Sequence, residues 1–302
     1  MRLGYDGTLF MLAFDHRGSF QRKFFGIEGA PGPDEAARII DAKRVIFDGL
    51  QRALSEGGVP QGAAGVLVDE QFGTQVAHEA KQAGLALAMP AERSGQPEFD
   101  FEYGTEFTSH IQAFDPTFTK ALVRYNPEGD GGLNARQAAK LRELSDWLHQ
   151  TGRLFLFELL VPAEPHQLEA AGNDALRYDD ELRPGLMRVA IAQLQESGVE
   201  PDVWKIEGIG DPARCAEIAE QCRIAGRDDV ACVVLGRGAD EAAVDTWLRA
   251  ARDVPGYRGF AIGRSIWWDP LKFFVDGAMA REEAVAQIAN RYRRFVAVYR
   301  EG

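Results

Sequence analysis

Short apolar or β-branched runs recur along this chain, and between them apolar residues return every three or four positions. The runs are TLFMLAF (8–14), GVLV (65–68), LALAM (85–89), KALVRY (120–125), LFLFELL (154–160), VWKIE (203–207), ACVVLG (231–236) and GFAIG (259–263). The stretches between them predict amphipathic crossover helices, so the runs read as parallel strands. One helix is predicted over 34–57, opened by Pro33 and Asp34 and closed by Gly57-Gly58. Another covers 134–152, with Asn134 as its cap and Gly152 as its stop. Others are predicted near 183–198, 211–225, 240–253 and 281–299, and the weakest pattern lies over 100–114.

Eight strand–helix units in 302 residues fit an α/β fold, a single (β/α)8 TIM barrel, whose chemistry sits at the carboxyl ends of the strands. An open doubly wound sheet shares this periodicity. No Pro/Gly/Ser-rich linker and no fixed repeat divides the chain, so residues 1–302 read as one domain.

Where the polar residues fall separates the two folds. The first run ends in Asp15, His16, Arg17 and Ser19, and the second in Asp69 and Glu70. The fourth carries Lys120, Arg124 and Asn126, the fifth Glu158, and the sixth Lys205 and Glu207. Arg237 follows the seventh, and Arg264 with Ser265 the eighth. Charged residues are seldom buried unless paired, and one shared polar mouth accounts for all of these positions.

Lys205 is the most informative of them. It stands among apolar neighbours on a predicted strand, where desolvation lowers the pKa of an amine, and a second cation such as Lys120 lowers it further. A neutral amine attacks a ketone. The alternative is a structural ion pair with Glu158 or Asp15, since such pairs also shift pKa values. Carboxylates at three strand ends, and arginines beside glycines at two more, turn the reading toward catalysis.

The segments GRGADE (236–241) and GRSIW (263–267) follow the last two strands, where barrels often hold phosphate on backbone N–H groups. Gly236, Gly238 and Gly263 would allow close approach, and Arg237 or Arg264 would add a charge-assisted bond. An ordinary turn with a helix cap would carry the same glycines.

Composition narrows the partners. With 45% hydrophobic and 26% charged residues and a net charge of -12, the chain has an ordinary globular make-up and no surplus of basic residues. Nucleic acid and anionic membrane are therefore excluded as expected partners. No apolar run approaches the ~18 residues of a membrane span. Three cysteines without a CxxC motif, and no apolar leader after Met1, suggest a reducing, cytoplasmic setting. Cys215 and Cys222, seven apart, are expected to face the core. Five scattered histidines offer no zinc pattern. Asp69 with Glu70 could hold a hard cation, but acid–base work or lysine pairing is the commoner use, so no metal site is assigned. The tract SIWWDPLKFF (265–274) is expected as core more than interface, which leaves a homo-oligomer open.

LAFDHRGSFQ, KALVRYNPEGD, FLFELLVP, VWKIEGI and GFAIGRSIWWDP together resemble the 2-deoxy-5-keto-gluconate 6-phosphate aldolase domain of myo-inositol catabolism, which often follows a sugar-kinase domain. They are more distantly similar to class I tagatose 1,6-bisphosphate aldolases. The resemblance runs from about residue 8 to 295. It implies a barrel with a Schiff-base lysine on the sixth strand, matching Lys205, a second lysine matching Lys120, and a glutamate matching Glu158; the motif around Asp15 is present as well. It also implies a stand-alone aldolase or an isolated domain that releases dihydroxyacetone phosphate and malonate semialdehyde without a cofactor. Glu158 first, and Asp15 second, would take the proton from the substrate's C3 hydroxyl. Arg17 or Arg124 would meet the substrate carboxylate, with Asp69 and Asn126 as further substrate contacts. A tagatose- or fructose-bisphosphate-type aldolase and a non-catalytic barrel that binds a sugar phosphate are the alternatives.

Overall fold

All eight predicted strands form. The computed structural model, which describes residues 3–301, joins them in sequence order into one closed parallel barrel. The strands are β1 (Leu9–Ala13), β2 (Ala64–Leu67), β3 (Ala86–Pro90), β4 (Phe118–Arg124), β5 (Leu154–Leu160), β6 (Val203–Glu207), β7 (Ala231–Leu235) and β8 (Tyr257–Ile262). β1 pairs with both β2 and β8, which excludes the open sheet.

Side chains alternate across each strand, and the alternation produces two separate cores. Met11, Leu67, Phe118, Leu156, Val203 and Val233 belong to a small cluster inside the barrel. Phe10, Leu12, Phe155, Phe157, Trp204 and Phe260 belong to the larger one, between barrel and helices. The inner cluster floors the barrel. Above it, the next inward positions at the ends of β1, β4, β5 and β6 are polar: Asp15, Lys120, Glu158 and Lys205.

The helices predicted from capping signals appear as Pro33–Ser55, Gly131–Gln150, Arg183–Glu196, Pro212–Arg223, Glu241–Ala251 and Arg281–Arg300. The second starts earlier than expected. Asp130, not Asn134, caps it by accepting from the Leu133 amide at 2.9 Å. The third crossover has only a short helix, Phe107–Phe114, because residues 91–102 form a hairpin-like loop held by a Glu92–Phe101 bridge. Phe101, at the start of the predicted segment, is buried in that loop and not on the helix.

The longest of the helices that were not anticipated follows the last strand. Arg264–Val275 begins directly after β8 and buries Ile266, Trp267, Pro270 and Leu271, so the aromatic tract is core along one face. Cys215 and Cys222 are buried as expected, and Cys222 Sγ lies 3.6 Å from that of Cys232. Among the described residues, no helix is long and apolar enough to cross a membrane.

Candidate active site

A cavity of about 670 Å³ opens at the carboxyl ends of the strands. β1, β4, β5, β6, β7 and β8 line it, together with the loops that follow β3, β5 and β7. Asp15, Lys120, Glu158 and Lys205 all face into it, one pleat above Ala13, Phe118, Leu156 and Val203 of the barrel floor.

Two lysines and three carboxylates form a single buried network. Lys205 Nζ lies 2.9 Å from Glu158 Oε1, and Lys120 Nζ lies 3.1 Å from Glu158 Oε2. Lys120 also contacts Asp15 at 2.8 Å and Glu92 at 2.7 Å. Burial alone would lower the Lys120 pKa, but Asp15, Glu158 and Glu92 reverse the effect and raise it. It therefore stays an ammonium. Burial would raise both Asp15 and Glu158, yet the lysines facing them draw both below the ordinary carboxylate range. Glu92 differs: burial raises it, and Lys120 and Arg17 only partly offset that.

Glu92 and Lys43 were missed in the sequence. Glu92 sits two residues past β3, in the pleat of Ala88 and Pro90, so counting the alternation two positions further would have found it. Lys43 lies on the buried stripe of helix Pro33–Ser55, between Ile39 and Ile46. It donates to the carbonyls of Phe14 at 2.8 Å and His16 at 3.1 Å, and pairs with Asp69. This clamp fixes the end of β1, from which Asp15 projects.

Asp69 and Asn126 correct the expectation of substrate contact, because neither lines the cavity. Asp69 is fully buried, pairs with Lys43 and caps the helix Glu70–Gln82 through the Phe72 amide at 2.9 Å. Asn126 ties loops together: its amide donates to the Pro162 carbonyl at 2.8 Å and to Gln167 Oε1 at 2.6 Å. A polar residue at a strand end serves the following helix as readily as a ligand.

The arginines divide in the same way. Arg17 lines the cavity, but its terminal nitrogens are engaged with Glu102 at 2.8 Å and the Glu92 carbonyl at 2.7 Å. Arg237 is held by Asp179 at 2.7 Å and Glu207 at 3.0 Å. Arg124 is freer, giving one bond to the Gln96 carbonyl at 3.1 Å. Arg264 donates through Nη2 to the Arg237 carbonyl at 2.6 Å and otherwise faces the cavity beside Gly236, Gly238 and Gly263. His16 lies at the same mouth with an unpartnered Nδ1; burial, abetted by Arg264, Lys43 and Lys205 and resisted by Asp15, lowers its pKa to about 4.

Residues 4–302 match the family model described as "Uncharacterized protein conserved in bacteria (DUF2090)". The chain belongs to that family. No curated protein matches it in sequence. Among solved structures it is similar to Cgl0159 from Corynebacterium glutamicum (Brevibacterium flavum), with 16% identity and a TM-score of 0.60 over 98% of this chain and 88% of that one. It is also similar to the fructose-bisphosphate aldolase of Plasmodium falciparum, at 11% identity and a TM-score of 0.65 over 97% and 91% of the two chains. A Schiff base-forming fructose-1,6-bisphosphate aldolase is similar at 15% identity and a TM-score of 0.55 over 93% of each chain. At such identities the likeness shows the barrel fold, and function has to be argued from the site.

Proposed function

We propose that this barrel is a class I aldolase that cleaves a phosphorylated keto sugar acid through a Schiff base on Lys205. The observation that carries the reading is a buried, cavity-facing lysine on β6 with a carboxylate 2.9 Å from its nitrogen. Glu158 is placed to exchange protons with that nitrogen as the amine attacks. Attack on the substrate's C5 ketone and loss of water then give a protonated imine. The C3–C4 bond breaks as the C3 hydroxyl loses its proton, and its electrons pass to the imine nitrogen as an enamine.

Both oxygens of Glu158 face lysines, which supports a role for it at the imine more than at the C3 hydroxyl. Lys120, kept cationic by its three carboxylates, would orient a substrate hydroxyl. Arg264 and the backbone of Gly236, Gly238 and Gly263 would hold the phosphate. Arg124 would take the carboxylate at the opposite rim, since Arg17 is already engaged.

The substrate that fits this arrangement and the sequence resemblance is 6-phospho-5-dehydro-2-deoxy-gluconate, which yields malonate semialdehyde and dihydroxyacetone phosphate. The imine acts as the electron sink, so the scheme calls for no cofactor. Borohydride added with dihydroxyacetone phosphate should fix a three-carbon adduct on Lys205, and Lys205→Ala should lose it. Activity that survives Lys205→Ala yet vanishes with a chelator would overturn the reading. Tight binding without turnover on a panel of phosphorylated keto sugars, hexulose bisphosphates included, would make this a binding protein instead.

A further inference from the structure

The cleavage step needs a base that is not already committed to the imine. Glu92 is buried, 7% exposed, and lines the cavity. Its Oε1 is fixed by Lys120 at 2.7 Å, while its Oε2 is buried without a hydrogen-bond partner. Buried carboxylate oxygens are seldom left unpaired without a reason. Glu158 differs, having one lysine on each oxygen. Lys120 contacts both glutamates, so their facing oxygens lie less than two hydrogen-bond lengths apart, within one substrate's reach of Lys205.

The support behind Glu92 is also directional. Arg17 donates to its backbone carbonyl at 2.7 Å, and the loop is pinned by the Glu92–Phe101 bridge and by the Ala91 amide donating to the Lys120 carbonyl at 2.8 Å. Lys120 anchors one oxygen, and the other, shut off from solvent, has no hydrogen bond to break before it takes up a proton.

We propose that Glu92 is the acid–base residue of carbon–carbon cleavage, accepting the C3 hydroxyl proton on Oε2 and returning it to C4. This rests on the Schiff-base reading above. In the forward step the carboxylate gains the hydroxyl proton, C3 becomes the aldehyde carbon, and the C3–C4 electron pair moves into the enamine. After the aldehyde leaves, the Glu92 carboxylic acid gives its proton to C4, which restores the imine for hydrolysis by water. A carboxyl that burial holds above its ordinary range suits both directions of this transfer.

The test uses the full chain and dihydroxyacetone phosphate, whose hydroxymethyl carbon exchanges hydrogen with solvent only through the enamine. In Glu92→Gln the borohydride adduct on Lys205 should form as in the wild type, while deuterium exchange at that carbon falls by about 10²- to 10⁴-fold. Glu92→Asp keeps the charge and shortens the reach, so it should keep the adduct and lose roughly tenfold or more of the exchange. Formate should partly restore exchange to Glu92→Ala, which a purely structural role would not predict. Wild-type exchange in either Glu92→Gln or Glu92→Asp overturns the proposal, as does joint loss of adduct and exchange in a folded Glu92→Gln. If the wild type itself forms no adduct on Lys205, the Schiff-base reading fails and this inference falls with it.

Discussion

Glu158 and Lys205 face each other across the β5–β6 register, with Lys205 Nζ 2.9 Å from Glu158 Oε1. Their meeting is set by strand pairing and not by a mobile loop, so the geometry is as rigid as the barrel. Two hydrogen-bonded neighbours that both point inward must either pair or repel, and an acid with an amine pairs. The same contact that stabilises the resting protein is the one the proposed reaction would use for proton transfer.

Lys120 is the hub of that network, and its removal should cost more stability than that of any surface lysine. Lys120→Met would leave Asp15, Glu92 and Glu158 facing one another in a buried site, a loss of about 3–5 kcal/mol. The sign of the pH response should also change. In the wild type, Asp15 and Glu158 lie below their ordinary values of 3.8 and 4.5, so they stabilise above that range and the benefit is lost as pH falls. In Lys120→Met the crowded carboxylates gain by taking up a proton, so stability should rise as pH falls from neutrality toward 4.5. Urea unfolding across pH measures this, and parallel curves for the two proteins would refute it.

How much of this was legible depended on what fixes each residue. Lys120, Glu158 and Lys205 lie within strands, and period-2 alternation is enough to turn them inward together. Asp69 and Asn126 also follow apolar runs, yet they satisfy helix-cap and loop hydrogen bonds instead, a choice made by tertiary neighbours such as Lys43 and Gln167. Lys43 shows the converse. Its place on an apolar helical stripe was visible in the sequence, but its partners come from the segments just past β1 and β2, and only the closed barrel brings those to it. Arg17 and Arg237 read as free cations until the loops supply Glu102 and Asp179.

His16 should leave a pH signature of its own. Its pKa falls from 6.5 to about 4 because the folded state resists protonating a half-buried imidazole whose Nδ1 is shut off from solvent. Between those values the unfolded chain binds a proton that the native protein does not, so stability should decline as pH drops from 6.5 to 4. His16→Asn should flatten that part of the curve. The quantity to compare is the wild-type minus variant difference in unfolding free energy, which isolates His16 from the other titrating groups; a difference independent of pH would contradict the assignment.

Arg264 and Arg237 touch at the mouth, Nη2 of the first on the carbonyl of the second at 2.6 Å, but should respond oppositely to truncation. Arg264→Ala removes a cation facing the cavity and should raise KM for a phosphorylated substrate by roughly 10- to 100-fold, the effect of one charge-assisted bond, with kcat little changed. Arg237→Ala removes a side chain tied to Asp179 and Glu207 and should chiefly lower the unfolding midpoint. Steady-state kinetics beside denaturation curves for both variants decide it, and a larger KM effect at Arg237 would reverse the two roles.

Gly263 is where the turn after β8 and the end of β1 compete for space. Its φ is -125°, and the requirement for glycine argued here is one of contact. A Cβ there would stand 2.1 Å from the Ala13 carbonyl oxygen, which also accepts the Trp267 indole N–H at 2.9 Å. Gly263→Ala must therefore move the end of β1 or the start of helix Arg264–Val275, and overpacking of this kind costs about 1–3 kcal/mol. Because Asp15 lies two residues beyond Ala13, the displacement should also reach the Lys120 network and lower activity beyond what the stability loss explains. A urea midpoint that drops at unchanged m-value, with reduced turnover under fully native conditions, is the expected result. An unchanged midpoint would mean that the two segments are not in the tight contact described here.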